Sequence, residues 1–359
     1  MILPPTRFAG WQPLHARLLL ALLLALCGFG MSIALQPAQA REEAVVDLTR
    51  TDLALYKAIA GRVGQGESYY SAATAEQRAR NYPLRPVVTV RLPTLAWTIG
   101  TLGPDTAALV LRVLAITAIA ALALRLRAIS GSKPVWAAVT CIAAASMILL
   151  TVPAMTFWHE SWAALLIALS LACRSRDHWA ASVAFGLAAA FSRELALPYL
   201  CVMALLALRE RNRAECVAWA AAILIFFAAF AAHALALFAH LQSGDPVSPG
   251  WASAGGWAFI LGMVQRCTLF ALLPLPVIAI AIPLALLGWA GLGNGSGDRA
   301  GLLLIIYVIA FAFIGRPDNF YWGIMLAPLL PIGLAFAPAA LRDLASSAAP
   351  GGRAVSAPA

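Results

Sequence analysis

Apolar runs and short polar turns alternate along almost the whole of this chain. Residues 18–35 hold no charged side chain, and comparable runs follow at 104–127, 134–152, 160–173, 179–191, 195–208, 215–241, 268–292, 301–314 and 320–341. Several reach about 18 residues or more, enough to cross roughly 30 Å of hydrocarbon. Backbone polar groups in lipid must be satisfied within the segment, so such runs predict helices, and the period-2 alternation of a membrane β-barrel is missing. The expected fold is all-α, a polytopic transmembrane bundle of about ten helices. The shorter segment 87–103 suits a shallow or re-entrant pass.

One stretch breaks the rhythm. Residues 41–92 are polar, and within them Leu53, Leu55, Tyr56, Ile59, Ala60 and Val63 make an apolar stripe on a helix that Asp52 could cap. This predicts a first loop of amphipathic helices lying on the membrane surface. Gly64 and Gly66 end the first of them, and NYPLRP (81–86) breaks the chain again. The domain expected is 1–345, including the loop 41–92, followed by a low-complexity, disordered tail at 346–359.

Composition agrees with this pattern. The chain is 62% hydrophobic and 11% charged, with a mean hydropathy of +0.83, which excludes a soluble core. The net charge of +9 is scattered between apolar runs, so it does not mark a nucleic-acid surface. Only Lys57 and Lys133 among the 25 basic residues are lysines, a bias that fits phosphate recognition and a GC-rich genome equally. The six cysteines show no CxxC spacing and read as small core residues, neither disulfides nor metal ligands. Residues 7–40 resemble a secretory signal ending in Ala38-Gln39-Ala40, but the apolar stretch is longer than a usual signal core. A retained signal-anchor helix is the expectation, with cleavage after Ala40 as the alternative.

The short loops carrying Arg7 and Arg17, Arg125 to Lys133, Arg174 and Arg176, Arg209 to Arg213, Arg299 and Arg342 fall on one side when spans are counted, which makes that side cytoplasmic. Five polar insertions fall on the other: the first loop, FWHE (157–160), SRE (192–194), SGDP (243–246) and RPDNFYW (316–322). Ionisable groups at such turns are costly in lipid and usually face a cavity or a partner, so the five predict a site. Each has a plainer reading. Asp52 could be only a cap; His159 and Glu160, an interfacial anchor beside Trp158 and Trp162. Arg193 and Glu194 could neutralise each other, Asp245-Pro246 could be a turn, and Asp318 and Asn319 could turn the chain before belt residues Tyr321 and Trp322.

The order of these features resembles the GT-C superfamily of integral-membrane glycosyltransferases, which draw sugars from polyprenyl-phosphate donors. The likeness rests on a first helix, a long outward loop with an early acid (DLALY, 52–56), the proline segment NYPLRP and an arginine-bearing helix (VLRVLA, 110–115). The chain differs in lacking a paired Asp-Glu at the start of the loop, and it shows no C-terminal carbohydrate-binding domain. The resemblance implies an inner-membrane, multi-pass enzyme with its site facing the periplasm. It implies a polyprenyl-phosphate sugar donor and a lipid or glycan acceptor. An inverting transfer needs a carboxylate to take the acceptor's proton, and Asp52 is the candidate, with Asp47 second. The charge developing on the phosphate calls for arginine, with Arg193, Arg316, Arg85 and Arg91 as candidates, or for a divalent cation such as Mg or Mn. Tyr56, Tyr69, Tyr70, Trp158 and Tyr321 offer rings and hydroxyls to a sugar. His159 with Glu160, Glu194, Asp318 and Asn319 complete the expected binding set. A transporter or flippase of lipid-linked sugars is the competing class; it would place charges in mid-helix and show inverted repeats.

Overall fold

The structure, a computed structural model, describes residues 5–36 and 49–349. In chain order the α-helices are α1 (Pro13–Ala34), α2 (Thr49–Gly64), α3 (Tyr69–Ala79), α4 (Thr94–Leu102), α5 (Pro104–Arg127), α6 (Lys133–Ile148) and α7 (His159–Cys173). Then come α8 (Ala180–Ser192), α9 (Leu197–Arg209), α10 (Arg213–Phe238), α11 (Gly256–Cys267), α12 (Leu275–Gly291), α13 (Gly295–Ile314) and α14 (Ala337–Ala348). No strand occurs among the described residues; one isolated bridge joins Arg85 to Val247. The last helix runs two residues past the start of the expected tail, and Asp47, Ala38-Gln39-Ala40 and residues 350–359 lie outside the described residues.

Among the described residues, five segments can cross a membrane by length and composition: α1, α5, α6 with its 3-10 extension to Thr151, α10 and α13. The apolar helices α7, α8 and α12 are shorter, and α12 carries Pro283 inside it. The expected span at 320–341 is not a regular helix. Pro317–Leu326 and Pro331–Ala335 are 3-10 turns, because Pro328 and Pro331 each lack the N–H that a continuing α-helix needs. Every residue from 321 to 333 is buried, a condition under which irregular backbone is tolerated at membrane depth. The cysteines are not core residues: Cys141 and Cys201 are exposed on apolar helices and the other four are half-buried.

The chain forms two compact units. One comprises Met1–Val45, Ile119–Met147 and Ala252–Ala359. Its α1 packs on α12 and α14 through Phe8, Ala16, Leu23, Leu287, Ala340 and Leu344. The segment ahead of α1 is tied to α14 by Thr6 N–H donating to Asp343 (2.7 Å) and Ser347 Oγ donating to Phe8 O (2.8 Å). Gly288 and Gly333 let backbones meet, since a Cβ on Gly288 would sit 1.9 Å from Gly333 O. The other unit comprises Val46–Ala118 and Ile148–Trp251. It contains the amphipathic loop, α7 to α10 and four of the five polar insertions.

Candidate active site

The second unit builds its site on α2. Leu55, Ile59 and Ala60 turn inward, and Leu55 and Ile59 cluster with Tyr69 and Ala73 of α3, Leu84, Val90, Ala96 of α4 and Leu237 of α10. The stripe expected to lie on the membrane surface is instead turned into the fold at Leu55 and Ile59, against α3, α4 and α10. α2 and α4 cross closely at two glycines, where a Cβ on Gly64 would lie 3.1 Å from Gly100 O.

Asp52 is not a cap. Helix α2 begins three residues earlier, at Thr49, so Asp52 sits in its first turn, where a carboxylate complements the positive helix end. It is 8% exposed and accepts a hydrogen bond from the Tyr82 hydroxyl. One turn on, Tyr56 packs edge-on against His159 and Trp158, with ring centres 4.8 and 6.1 Å away. Burial pushes the Tyr56 phenol up to about 12, against the pull of Arg91 and with the help of Asp52, so it stays protonated at physiological pH.

From Tyr56 a line of charge runs inward. Arg91 points Nε at the Tyr56 hydroxyl (3.4 Å) and Nη1 at Glu194 Oε1 (3.3 Å). Arg193 pairs with Glu194 and sets its Nε 2.6 Å from Glu160 Oε1. Arg193 and Glu160 side chains are each 1% exposed. Two arginines alternate with two carboxylates, so the formal charge of the quartet closes to zero. Burial alone would raise the Glu194 carboxyl, but Arg193 and Arg91 outweigh it and hold the group below its ordinary value. The quartet exists because the chain breaks after α8: Arg193 takes an extended conformation, Glu194–Ala196 forms a 3-10 turn, and Pro198 opens α9.

Burial corrects several plainer readings. Trp158 and Trp162 are buried, with Trp162 Nε1 donating to Thr156 O (2.9 Å), so they and His159 are not an interfacial anchor. Tyr321 and Trp322 are buried rather than belt residues. Arg193 is enclosed by carboxylates, so it positions its neighbours and presents no open fork to a phosphate. Arg112 is exposed on α5. Arg85 is exposed too, with Nη2 donating to Gln242 O (3.2 Å).

SGDP does more than turn the chain. Asp245 accepts both Nε (2.5 Å) and Nη2 (2.9 Å) of Arg78 on α3, and Gln242 N–H (2.7 Å). Leu84 N–H donates to Pro246 O (2.9 Å) and Ser248 N–H to Arg85 O (2.7 Å). This loop clamps the end of the amphipathic segment. Tyr69 donates to Arg91 O (2.5 Å), which sets the arginine's backbone. Tyr70 turns to α10, with its hydroxyl 3.2 Å from His233 Nδ1, while His233 Nε2 lies 3.2 Å from Val90 O. The fifth polar turn belongs to the other unit. There Arg316 pairs with Asp318 (2.5 and 3.1 Å), and Asn319 and Tyr321 are buried.

Between α2, α3 and α4 lies a narrow cavity with about 20 Å³ of space for water, walled by Leu55, Ile59, Val90 and Ile99. Its polar lining comes from Tyr56, Tyr69, Arg91, Gln77, Thr89 and His159. Sequence reasoning passed over Gln77, Tyr82 and the Arg78–Asp245 pair. Only Tyr82 carried a signal, an aromatic hydroxyl directly ahead of a proline break. Among the described residues no group of three or more His, Cys, Asp and Glu side chains comes together. Comparison with models of known families, with curated proteins and with solved structures finds no match for this chain.

Proposed function

We propose that this chain is an inner-membrane glycosyltransferase, which moves a sugar from a polyprenyl-phosphate donor to a lipid or envelope-glycan acceptor on the periplasmic face. The observation that carries the reading is Asp52. It is a carboxylate buried at the head of an amphipathic helix, one turn from a tyrosine that meets Arg91. On this reading the short apolar helices join the five long ones to make about ten crossing segments.

In the reaction, Asp52 takes the proton of the acceptor hydroxyl as that oxygen bonds to the anomeric carbon. The bond from that carbon to the phosphate oxygen breaks with inversion, and its electron pair leaves with the polyprenyl phosphate. Tyr82 holds the Asp52 carboxylate in place. Arg91 supplies positive charge near the site, kept in position by Glu194 and by the Tyr69 contact to its backbone. The Glu160–Arg193–Glu194 chain acts behind Arg91 as a support.

Transfer of labelled sugar from a lipid donor, in membranes bearing wild type, Asp52→Asn or Asp47→Asn, tests the assignment. Loss with Asp52→Asn alone supports it, and loss with Asp47→Asn alone moves the base. Full transfer in both variants removes these carboxylates from the chemistry. The transporter reading draws on the buried quartet, since charge held inside a bundle also marks translocation routes. Uptake of a lipid-linked sugar into proteoliposomes without any glycosidic product would favour it.

A further inference from the structure

Two polar residues lining the cavity beside α2 point to what it takes. Gln77, on α3, is 3% exposed, and its Nε2 donates to Pro83 O and Thr89 O, both at 3.2 Å. Those two carbonyls fix the orientation of the amide, because a flipped side chain would set oxygen against oxygen. Gln77 Oε1 is therefore an acceptor by geometry, and it is buried with no hydrogen-bonding partner among the described residues. His159, at the start of α7, is 5% exposed, and its Nδ1 is likewise buried without a hydrogen-bonding partner among them. Both residues line the same cavity, from different elements. A buried polar atom left without a partner is costly, so two on residues lining one cavity favour a ligand that gives both a hydrogen-bonding partner.

The chemistry of that ligand follows by elimination. An anion brings no proton to an acceptor, and Arg91, the one cation in the lining, already bonds Glu194 and Tyr56. A cation would meet the like charge of Arg91 in the same lining. A neutral hydroxyl supplies the missing donor, and its lone pairs or its proton suit His159 Nδ1 in either tautomer. The space open to the centre of a water-sized group is about 20 Å³, enough for a hydroxyl, and the aliphatic side chains of the lining suit the carbon that bears it.

We propose that Gln77 and His159 form a pocket that reads one neutral hydroxyl group of an otherwise largely apolar ligand. The hydroxyl belongs either to a lipid alcohol or to the sugar of a glycolipid. The proposal goes beyond sugar transfer and is tested without it, because binding is read in the absence of turnover.

The test uses the purified full chain in lipid nanodiscs, with binding followed by native mass spectrometry. One arm compares farnesol with farnesyl methyl ether and farnesyl phosphate. The other compares octyl β-glucoside with its 6-deoxy analogue. The expected result is at least tenfold weaker binding when the hydroxyl is methylated or removed, in one arm, which identifies the source. Farnesyl phosphate should gain nothing over farnesol. His159→Phe and Gln77→Met should abolish the discrimination. His159→Asn, whose amide reaches the position of Nδ1, should keep it. Gln77→Met also gives up two carbonyl contacts, so a thermal unfolding curve accompanies each variant, and His159→Phe carries the test if Gln77→Met melts. Equal binding of every hydroxyl and deoxy pair would overturn the proposal. So would discrimination that survives His159→Phe, or a pocket that keeps water alone in the presence of all the probes.

Discussion

The two ends of α7 both carry buried arginine–carboxylate clusters, and they are built to different standards. Just past its C-terminus, Arg174 donates Nε (3.0 Å) and Nη2 (2.7 Å) to Glu215 and also pairs with Glu210. Asn212 and Trp219 add donors to Glu215 at 3.2 and 3.4 Å. Among the described residues, no buried side-chain N or O of Arg174 or Glu215 is left without a partner. At the N-terminus, Glu160 and Arg193 also pair, but beside them His159 Nδ1 has no hydrogen-bonding partner among the described residues, and the ring faces a cavity. A fully satisfied cluster staples helices together. A cluster that borders a cavity and leaves capacity unused is arranged for something that comes and goes.

An all-or-none experiment tests whether these two ends lie on opposite faces of a membrane. Gly244→Cys, next to the Arg78–Asp245 clamp, should react with an impermeant thiol reagent from outside, whereas Arg211→Cys should not. Both positions are exposed, and α10, 26 residues long, runs between them. Labelling of Arg211→Cys alone would invert the orientation.

Glu215→Ala leaves Arg174 with Glu210 as its remaining carboxylate and should cost up to about 3–5 kcal/mol of stability, the range for a buried charge left with no partner. The expected readout is a lower unfolding temperature in detergent, with turnover per folded molecule unchanged. A stable variant with impaired transfer would erase the distinction between the two ends.

Asp52→Asn should do the reverse. Turnover should fall on the order of 100-fold or more with donor binding and unfolding temperature retained, since the amide keeps the size and the acceptor for Tyr82 but takes no proton. A comparable loss of stability would make Asp52 a structural group like Glu215.

Arg193→Lys keeps the charge but loses the fork that serves Glu160 and Glu194 together, so about 1.5–3 kcal/mol of stability should go with it. Donor affinity should fall as well, through Arg91, whose partner Glu194 is released. Unchanged affinity and stability would remove the support role.

The smallest effect concerns pH. The Arg78 guanidinium holds the Asp245 carboxyl below its ordinary value, against the burial that would raise it. A depressed carboxylate contributes its stability in full above the unfolded value of about 3.9, and the contribution fades as pH falls through the lower folded value. Hydrogen exchange at the Leu84 and Ser248 amides should therefore stay slow from pH 7 to 5 and speed up only below about pH 4. Loosening already at pH 6 would show that the Asp245 carboxylate is not what holds the clamp.

Much of this molecule could be read along the chain. Long apolar runs became helices because a backbone in a low-dielectric setting must satisfy itself within the segment. The apolar stripe of Leu55, Ile59 and Ala60 was legible, since a 3.6-residue period is a local property, but whether it met lipid or protein was not. The polar turns at 157–160 and 192–194 were visible as exceptions to the apolar pattern. Tertiary structure alone decided which charges meet. Arg78 and Asp245 are 167 positions apart, and no local preference pairs them. Arg193 looked like an open phosphate ligand in sequence, but packing closed it between two carboxylates. Gln77 was one polar residue of a surface helix until the fold turned it inward. The proline-rich run at 320–341 read as one more span, and only the protein packed around it makes its irregular backbone tolerable. Periodicity and hydropathy follow from neighbours in sequence, whereas pairing, burial and unused hydrogen-bonding capacity arise from neighbours in space.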